Sequence, residues 1–379
     1  MKIAVLKERR PFERRVAATP ETVKKLIALG HQVAVESGAG VESSYVDQAY
    51  RDAGAHLRDA ATAAGDADLV LKVQRPMTAA EGTDEVAMLK PGATVIAMFS
   101  PHSARAELPL FASRQVSALA MELVPRITRA QSMDVLSSQA NLAGYRAVLD
   151  AATEFGRAFP MMMTAAGTIP PTRVMVMGAG VAGLQAIATA RRLGAVVSAT
   201  DVRMAAKEQV QSLGATFVMV ESDETINAET SGGYAKEMSD DFKQRQAVLI
   251  AETVKKQDIV ICTALIPGRP APQLLSETMV RSMKPGSVIV DMAVEQGGNC
   301  ACSKPGEIVD IGGVKIVGYR NIPSRIAVDA SALYARNIYN LIAFYHDKES
   351  GDFKLNPEDE IIKAMLLTHA GAVVHPQFI

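Results

Sequence analysis

Cysteine is scarce and poorly spaced for structural work: Cys262, Cys300 and Cys302 are the only three in the chain. Three thiols cannot build a disulfide framework, and a single residue between Cys300 and Cys302 is not the CxxC spacing of a zinc or redox motif. They read as buried or loop thiols in a reducing compartment. The six histidines are scattered, with no HExxH and no paired helical spacing, so no metal site is expected. Net charge is also lacking. A formal value of -1 removes any broad electrostatic case for nucleic acid, which requires a basic face. The basic pairs Arg9-Arg10, Arg14-Arg15 and Arg191-Arg192 lie beside acids or on expected helix faces and read as solvated surface. No apolar run approaches the roughly 18 uninterrupted residues of a membrane span. Residues 159–171 are apolar but are broken by Pro160, Pro170 and Pro171. The opening MKIAVLKERR is too short in its apolar part for a signal peptide and reads as a first strand. The expectation is a chain that does not insert into a bilayer, although it could sit on a membrane protein.

What is present is a foldable composition, 48% hydrophobic and 21% charged, over 379 residues, which exceeds one ordinary core and suggests two domains. The first third alternates short apolar runs at 2–7, 31–36, 69–73, 94–99 and 116–122 with helical patterns at 20–29, 44–53, 84–89 and 104–113. Such alternation predicts a mostly parallel sheet covered on both faces. No GxGxxG occurs in this part. Next, 130–159 contains no proline and carries apolar residues at Met133, Leu136, Ala140, Ala143, Ala147 and Ala151. This predicts one long helix, stopped by Pro160, that leads into a second domain. That domain reads as strands 173–177, 195–201, 216–220, 259–264, 287–293 and 314–318, with helices 181–193 and 204–213. A polar segment, 221–241, interrupts it. A last helix, 327–346, is expected to return to the first domain. The predicted fold class is α/β: two Rossmann-like, doubly wound parallel-sheet domains joined by long helices. Their expected bounds are 1–130 plus 327–379, and 131–326.

Gly178-Ala179-Gly180-Val181-Ala182-Gly183 follows the strand 173–177 and opens a helix. In that setting the first glycine makes the tight turn and the second lets backbone approach a pyrophosphate. The third allows close helix–strand packing. The helix N-terminus then offers N–H groups to phosphate. No lysine follows, which excludes a nucleotide-triphosphate P-loop. Asp201 ends the next strand, about 20 residues on, where an acid accepts from the adenosine ribose hydroxyls. Its charge favours NAD(H) over NADP(H), while Arg203 nearby leaves room for the extra phosphate. The turn Thr263-Ala264-Leu265-Ile266-Pro267-Gly268 follows another strand and is expected to flank the same nucleotide.

Five stretches are distinctive together: PRITRAQSMDVLSSQ at 125–139, NLAGYR at 141–146, MMMTAAGT at 161–168, GGYAKEM at 232–238 and TALIPG at 263–268. In this order they closely resemble the NAD(H)-binding domain I of proton-translocating nicotinamide nucleotide transhydrogenase. The resemblance runs from the KERR at 7–10 to His375-Pro376. With no membrane region following, the arrangement is similar to a bacterial α1-type subunit. Alanine dehydrogenase is the related family. Arg15 and Lys72 match its substrate-holding positions, and Glu295 stands where its catalytic aspartate would be. No histidine falls at 98–100, His102 being displaced. Amino-acid deamination moves protons as well as hydride and needs an acid/base, so the missing histidine argues against it and leaves Arg15 and Lys72 as inherited structural residues.

What the transhydrogenase resemblance implies is hydride transfer from NADH to NADP+ held on a partner domain, with no proton passed between the substrates. Such chemistry needs positioning, not a nucleophile. By resemblance, Gln131 and Asp134 position the nicotinamide, with Arg126 and Ser137 beside them. Gly178, Ala179, Gly180, Val181, Gly183, Asp201, Val202, Arg203, Gly233, Tyr234, Ala264 and Leu265 hold NAD(H), and Tyr234 closes over it as a lid residue. Asp134 and Ser137 also have the spacing of a helix cap. Implied partners are membrane-spanning and NADP(H)-binding subunits and a second copy of the chain. The implied location is the cytoplasmic side of a bacterial inner membrane. An alanine-dehydrogenase-like enzyme, a non-enzymatic NAD-binding module and an NAD oxidoreductase of unknown substrate remain the alternatives.

Overall fold

The computed structural model describes residues 1–220, 222, 238–266 and 268–379. Gly233 and Tyr234, with the lid expected around them, and Pro267 of the last turn lie outside the described residues. The chain divides into two compact units, Met1–Gln139 with Ser324–Ile379, and Ala140–Pro323.

In the first unit the strands β1 (Lys2–Val5), β2 (Gln32–Glu36), β3 (His56–Arg58), β4 (Leu69–Gln74), β5 (Thr94–Met98) and β6 (Ser117–Ala120) lie in the order β3-β2-β1-β4-β5-β6. All their pairings are parallel. Two C-terminal strands, Leu366–His369 and Ala372–Val373, extend the β6 edge antiparallel. Neither they nor β3 carry an apolar run long enough to be read from sequence. Helix Ala327–Phe344 belongs to this unit and buries Tyr334, Ile338, Leu341 and Ile342 in its core.

The second unit holds a two-stranded hairpin, β7 (Met162–Thr164) and β8 (Gly167–Ile169), and a seven-stranded sheet. Its strands are β9 (Arg173–Met177), β10 (Val196–Thr200), β11 (Thr216–Phe217), β12 (Ile259–Cys262), β13 (Val288–Asp291), β14 (Ile308–Ile311) and β15 (Val314–Val317). The order β11-β10-β9-β12-β13-β15-β14 runs parallel up to β15, and β14 returns antiparallel. Strands β12 and β13 are buried at every residue, as strands covered on both faces must be. In β9, Val174 and Val176 pack into one core and Met175 and Met177 into the opposite one.

The expected helix 130–159 is shorter than predicted. A 3-10 turn, Thr128–Met133, comes first, and the α-helix is Val135–Glu154. Asp134 between them is extended, at φ -71° and ψ 95°. Its carboxylate accepts from the Ser137 N–H at 2.9 Å and the Ser137 hydroxyl at 2.5 Å, the arrangement of an N-cap. At the other end the helix stops at Glu154, before Pro160. Phe155 and Phe159 leave the helical path to bury edge-to-face, 6.2 Å apart, with Gly156 between them. Packing and a glycine end this helix, not the proline. Residues 240 and 241, expected in the polar segment, instead open a helix, Asp240–Val254, capped by Ser239.

Candidate functional site

The glycine turn sits where β9 meets helix Val181–Arg192, and β9 lies between β10 and β12. Strand order reverses direction at that point. In open α/β sheets the crevice beyond the strand ends at such a switch is where ligands bind. Gly178 has φ +102°, a conformation that L side chains rarely adopt. At Gly183 an added Cβ would lie 1.8 Å from the Gly178 carbonyl oxygen, so the helix touches the strand end there. Gly180 differs from both, because a Cβ built on it meets nothing within 4 Å. It begins the helix with no side-chain cap, which leaves the first helical N–H groups facing that open space. Backbone donors, a helix N-terminus and no obstructing side chain fit a phosphate group.

Asp201, just past β10, is drawn into the turn. Its Oδ2 accepts from the Ala179 N–H at 2.8 Å and from Arg203 Nη2 at 2.8 Å. Its Oδ1 accepts from the Arg203 N–H and Nε, each at 2.9 Å. Opposite, Thr263 donates its hydroxyl to the Gly178 carbonyl at 2.8 Å. Sequence reasoning missed Asn299, which is fully buried and holds the next residue at both ends. It accepts from the Ala264 N–H at 3.1 Å and donates to the Ala264 carbonyl at 2.9 Å and to the Pro272 carbonyl at 2.8 Å. Asp291 was missed as well. Buried at the end of β13, it accepts from the Ala293 and Cys300 N–H groups at 3.0 Å and the Ser303 hydroxyl at 2.6 Å. The signal available was Gly297-Gly298, both with positive φ, which marks a tight turn that a buried acceptor has to satisfy. The second unit thus brings together Gly178, Ala179, Gly180, Val181, Gly183, Asp201, Val202, Arg203, Ala264 and Leu265.

Arg126, Gln131, Asp134 and Ser137 form a separate group within the first unit. Arg126 and Gln131 are exposed, whereas Asp134 and Ser137 are half-buried and bonded to each other as the cap described above. Deeper in this unit, at the C-terminal ends of β1 and β4, lies a buried charge cluster. Arg15 is clamped by both Glu13 oxygens, Nε at 2.8 Å and Nη2 at 2.7 Å, and donates to Gln139 at 2.7 Å. Lys72 lies 3.0 Å from Glu85 and 3.6 Å from Glu8. Burial pushes the Glu8 carboxyl up to about 7, with Lys72 and the Val73 N–H opposing it. Burial likewise lifts Glu122 to about 7. Both cations are engaged by side chains of their own unit. His102 is exposed and lies edge-to-face with Phe378 at 5.0 Å, and the Glu295 carboxylate is paired with Arg320 at 3.3 Å. Among the described residues no helix is long and apolar enough to cross a membrane.

Strand order, glycine turn and acidic residue define a Rossmann-type protein of the dinucleotide-binding class. Comparison with known proteins gives the particular lineage. The family described as alanine dehydrogenase/PNT matches through its N-terminal domain over residues 4–143 and through its C-terminal domain over 147–376, and the chain belongs to that family. It is 58% identical over 377 residues to an NAD(P) transhydrogenase subunit alpha chain of Rhodospirillum rubrum, covering 99% of this chain and 98% of that one. It is 46% identical over 378 residues to the NAD(P) transhydrogenase subunit alpha of Cereibacter sphaeroides, covering 99% of this chain and 71% of the relative. The crystal structure of transhydrogenase from Sinorhizobium meliloti superposes with a TM-score of 0.89 at 53% identity, over 99% of this chain and 100% of that one.

Proposed function

We propose that this chain is the NAD(H)-binding subunit of a proton-translocating transhydrogenase and passes hydride from NADH to NADP+ carried by a partner subunit. The observation that carries this reading is the uncapped, unobstructed glycine turn at the switch point of a sheet, in a chain aligned end to end with transhydrogenase α subunits. NADH, when bound, supplies the hydride. The Gly180 and Val181 backbone receives the pyrophosphate at the helix N-terminus, with Gly178, Ala179 and Gly183 shaping the turn. Asp201 and Val202 take the adenosine ribose, and Ala264 and Leu265 flank the path toward the nicotinamide. Gln131 orients the ring and Asp134 fixes the segment that carries it, with Arg126 and Ser137 alongside. No proton passes between the two nucleotides, so no acid/base is assigned. Holding two rings at near-attack distance, with water excluded, is the work left to the protein.

Membrane-spanning and NADP(H)-binding subunits complete the enzyme. They place this chain on the cytoplasmic face of the bacterial inner membrane, as a homodimer joined through its second unit. The test is NADH oxidation under two conditions: with an NADP+ analogue, with and without the NADP(H)-binding partner, and with pyruvate plus ammonium. Oxidation only when partner and analogue are both present is expected. Turnover of pyruvate and ammonium by the chain alone overturns the reading in favour of an amino-acid dehydrogenase. Binding of NADH with no turnover in either assay leaves a non-enzymatic module.

A further inference from the structure

A carboxylate has about four lone-pair positions for hydrogen bonds. At Asp201 four donors already occupy its two oxygens: the Ala179 N–H, the Arg203 N–H, and Arg203 Nε and Nη2. Two of the four come from one guanidinium, set two residues along the same chain, in the fork geometry that suits a carboxylate. The Asp201 side chain is 7% exposed and that of Arg203 17%. A ribose presenting two hydroxyls would therefore meet an acceptor that is already saturated and whose charge is already balanced.

We propose that Arg203 is an internal competitor for the ribose-binding carboxylate, lowering the affinity for NAD(H) and blunting discrimination against NADP(H). The proposal rests on the reading of Asp201 as the adenosine-ribose acceptor. Ribose hydroxyls gain access to Oδ1 and Oδ2 only as the guanidinium lets go, while the two backbone N–H bonds can stay. The cost of that release is subtracted from every binding event. The balanced charge has a second consequence. A bare carboxylate repels a 2′-phosphate, and one neutralised by a guanidinium does so much less. Arg203 thus moves both quantities in one direction, toward weaker and less selective binding, without itself being a ligand of the cofactor. A subunit that must exchange nucleotide in each cycle gains from such weakening, since release then does not limit turnover.

A partly exposed ion pair of this kind is worth up to about a fivefold factor in an equilibrium. Calorimetric titration of NADH and NADPH into the wild type, Arg203→Met, Arg203→Lys and the double variant Asp201→Asn/Arg203→Met tests the idea. Arg203→Met should bind NADH about fivefold more tightly and NADPH more weakly, with Arg203→Lys between it and the wild type. The gain for NADH should vanish in the double variant, because it acts through Asp201. NADH affinity of Arg203→Met equal to or below that of the wild type overturns the inference, since a guanidinium that merely oriented Asp201 or held the cofactor would give that result. No NADH binding by the wild type overturns instead the underlying assignment of the site. Melting curves identify any variant with a damaged fold, and Arg203→Lys keeps the ordering of affinities testable if the methionine variant is one.

Discussion

Replacing Gly183 and Gly180 with alanine separates what the fingerprint does for the fold from what it does for a ligand. At Gly183 the new Cβ would fall 1.8 Å from the Gly178 carbonyl oxygen, against the 3.0 Å below which real Cβ atoms essentially never sit, a shortfall of 1.2 Å. That oxygen cannot drift freely, because it accepts the Thr263 hydroxyl at 2.8 Å, and the same Cβ would also lie 3.2 Å from the Thr263 Oγ1. Overpacking of a tight site costs about 1–3 kcal/mol, and the small clearance here puts the cost at the upper end. Alanine in place of a helical glycine returns up to about 1 kcal/mol. The net loss is about 2 kcal/mol, or a fall of about 4–8 °C in the melting temperature of a domain of this size class. Gly180→Ala meets nothing within 4 Å, so its melting temperature should stay within about 1 °C of the wild type. Its NADH affinity should nevertheless fall at least about tenfold, since the methyl enters the space assigned to pyrophosphate. Calorimetric melts paired with NADH titrations of both variants make the comparison. An unchanged melt for Gly183→Ala, or a destabilised Gly180→Ala, would refute the division of labour between the two glycines.

The parts of this molecule that were legible in the sequence are those whose pattern is local. Continuous apolar runs such as IVIC and VIVD marked the buried parallel strands β12 and β13. The fingerprint was legible for the same reason: its glycines, its strand and its helix are contiguous. What stayed hidden depends on contacts between distant positions. β3, HLR, has a single apolar residue and is a strand because β2 offers it an edge. Leu366–His369 is a strand because β6 does the same, across some 250 positions of chain. Asn299 and Asp291 escaped notice because a buried polar residue is identified by its partners, and those partners sit on other loops. The spacing of Asp134 and Ser137 permitted two readings, and the cap is the one visible in the geometry. Capping does not decide whether Asp134 also serves a nucleotide, because a carboxylate that fixes a helix start fixes everything mounted on it.

Asn299→Ala should strip both hydrogen bonds from Ala264 and one from Pro272 at a fully buried position, costing about 2–4 kcal/mol and weakening NADH binding by displacing the turn, as a melt and a titration would read. An unchanged melt would mean the turn holds without it. Gln131→Asn should lower the hydride-transfer rate far more than NADH affinity in single-turnover kinetics, the signature of an interaction made at the reacting geometry, and a variant losing affinity alone would make Gln131 a simple binding residue. Glu8→Gln addresses the buried charge cluster through pH. The Glu8 carboxyl is raised from 4.5 to about 7 by burial, so the folded chain holds its proton where the unfolded chain has lost it. Folding then takes up protons between those values, and stability falls as pH rises through that window. The contribution is complete below about 4.5, is lost progressively up to about 7 and is flat beyond, with an upper bound of about 3 kcal/mol. Glutamine is neutral throughout and keeps an acceptor for the Val73 N–H, which Glu8 binds at 2.7 Å. Glu8→Gln should therefore match the wild type near pH 5 and melt higher than it near pH 8. Glu122 is raised in the same direction, so a residual slope should persist in the single variant and shrink further in Glu8→Gln/Glu122→Gln. Lys72, 3.6 Å away, pulls the other way by favouring the charged form. If that attraction outweighed burial, Glu8→Gln would lose most stability at pH 8, and this result would overturn the assignment of a buried proton to Glu8.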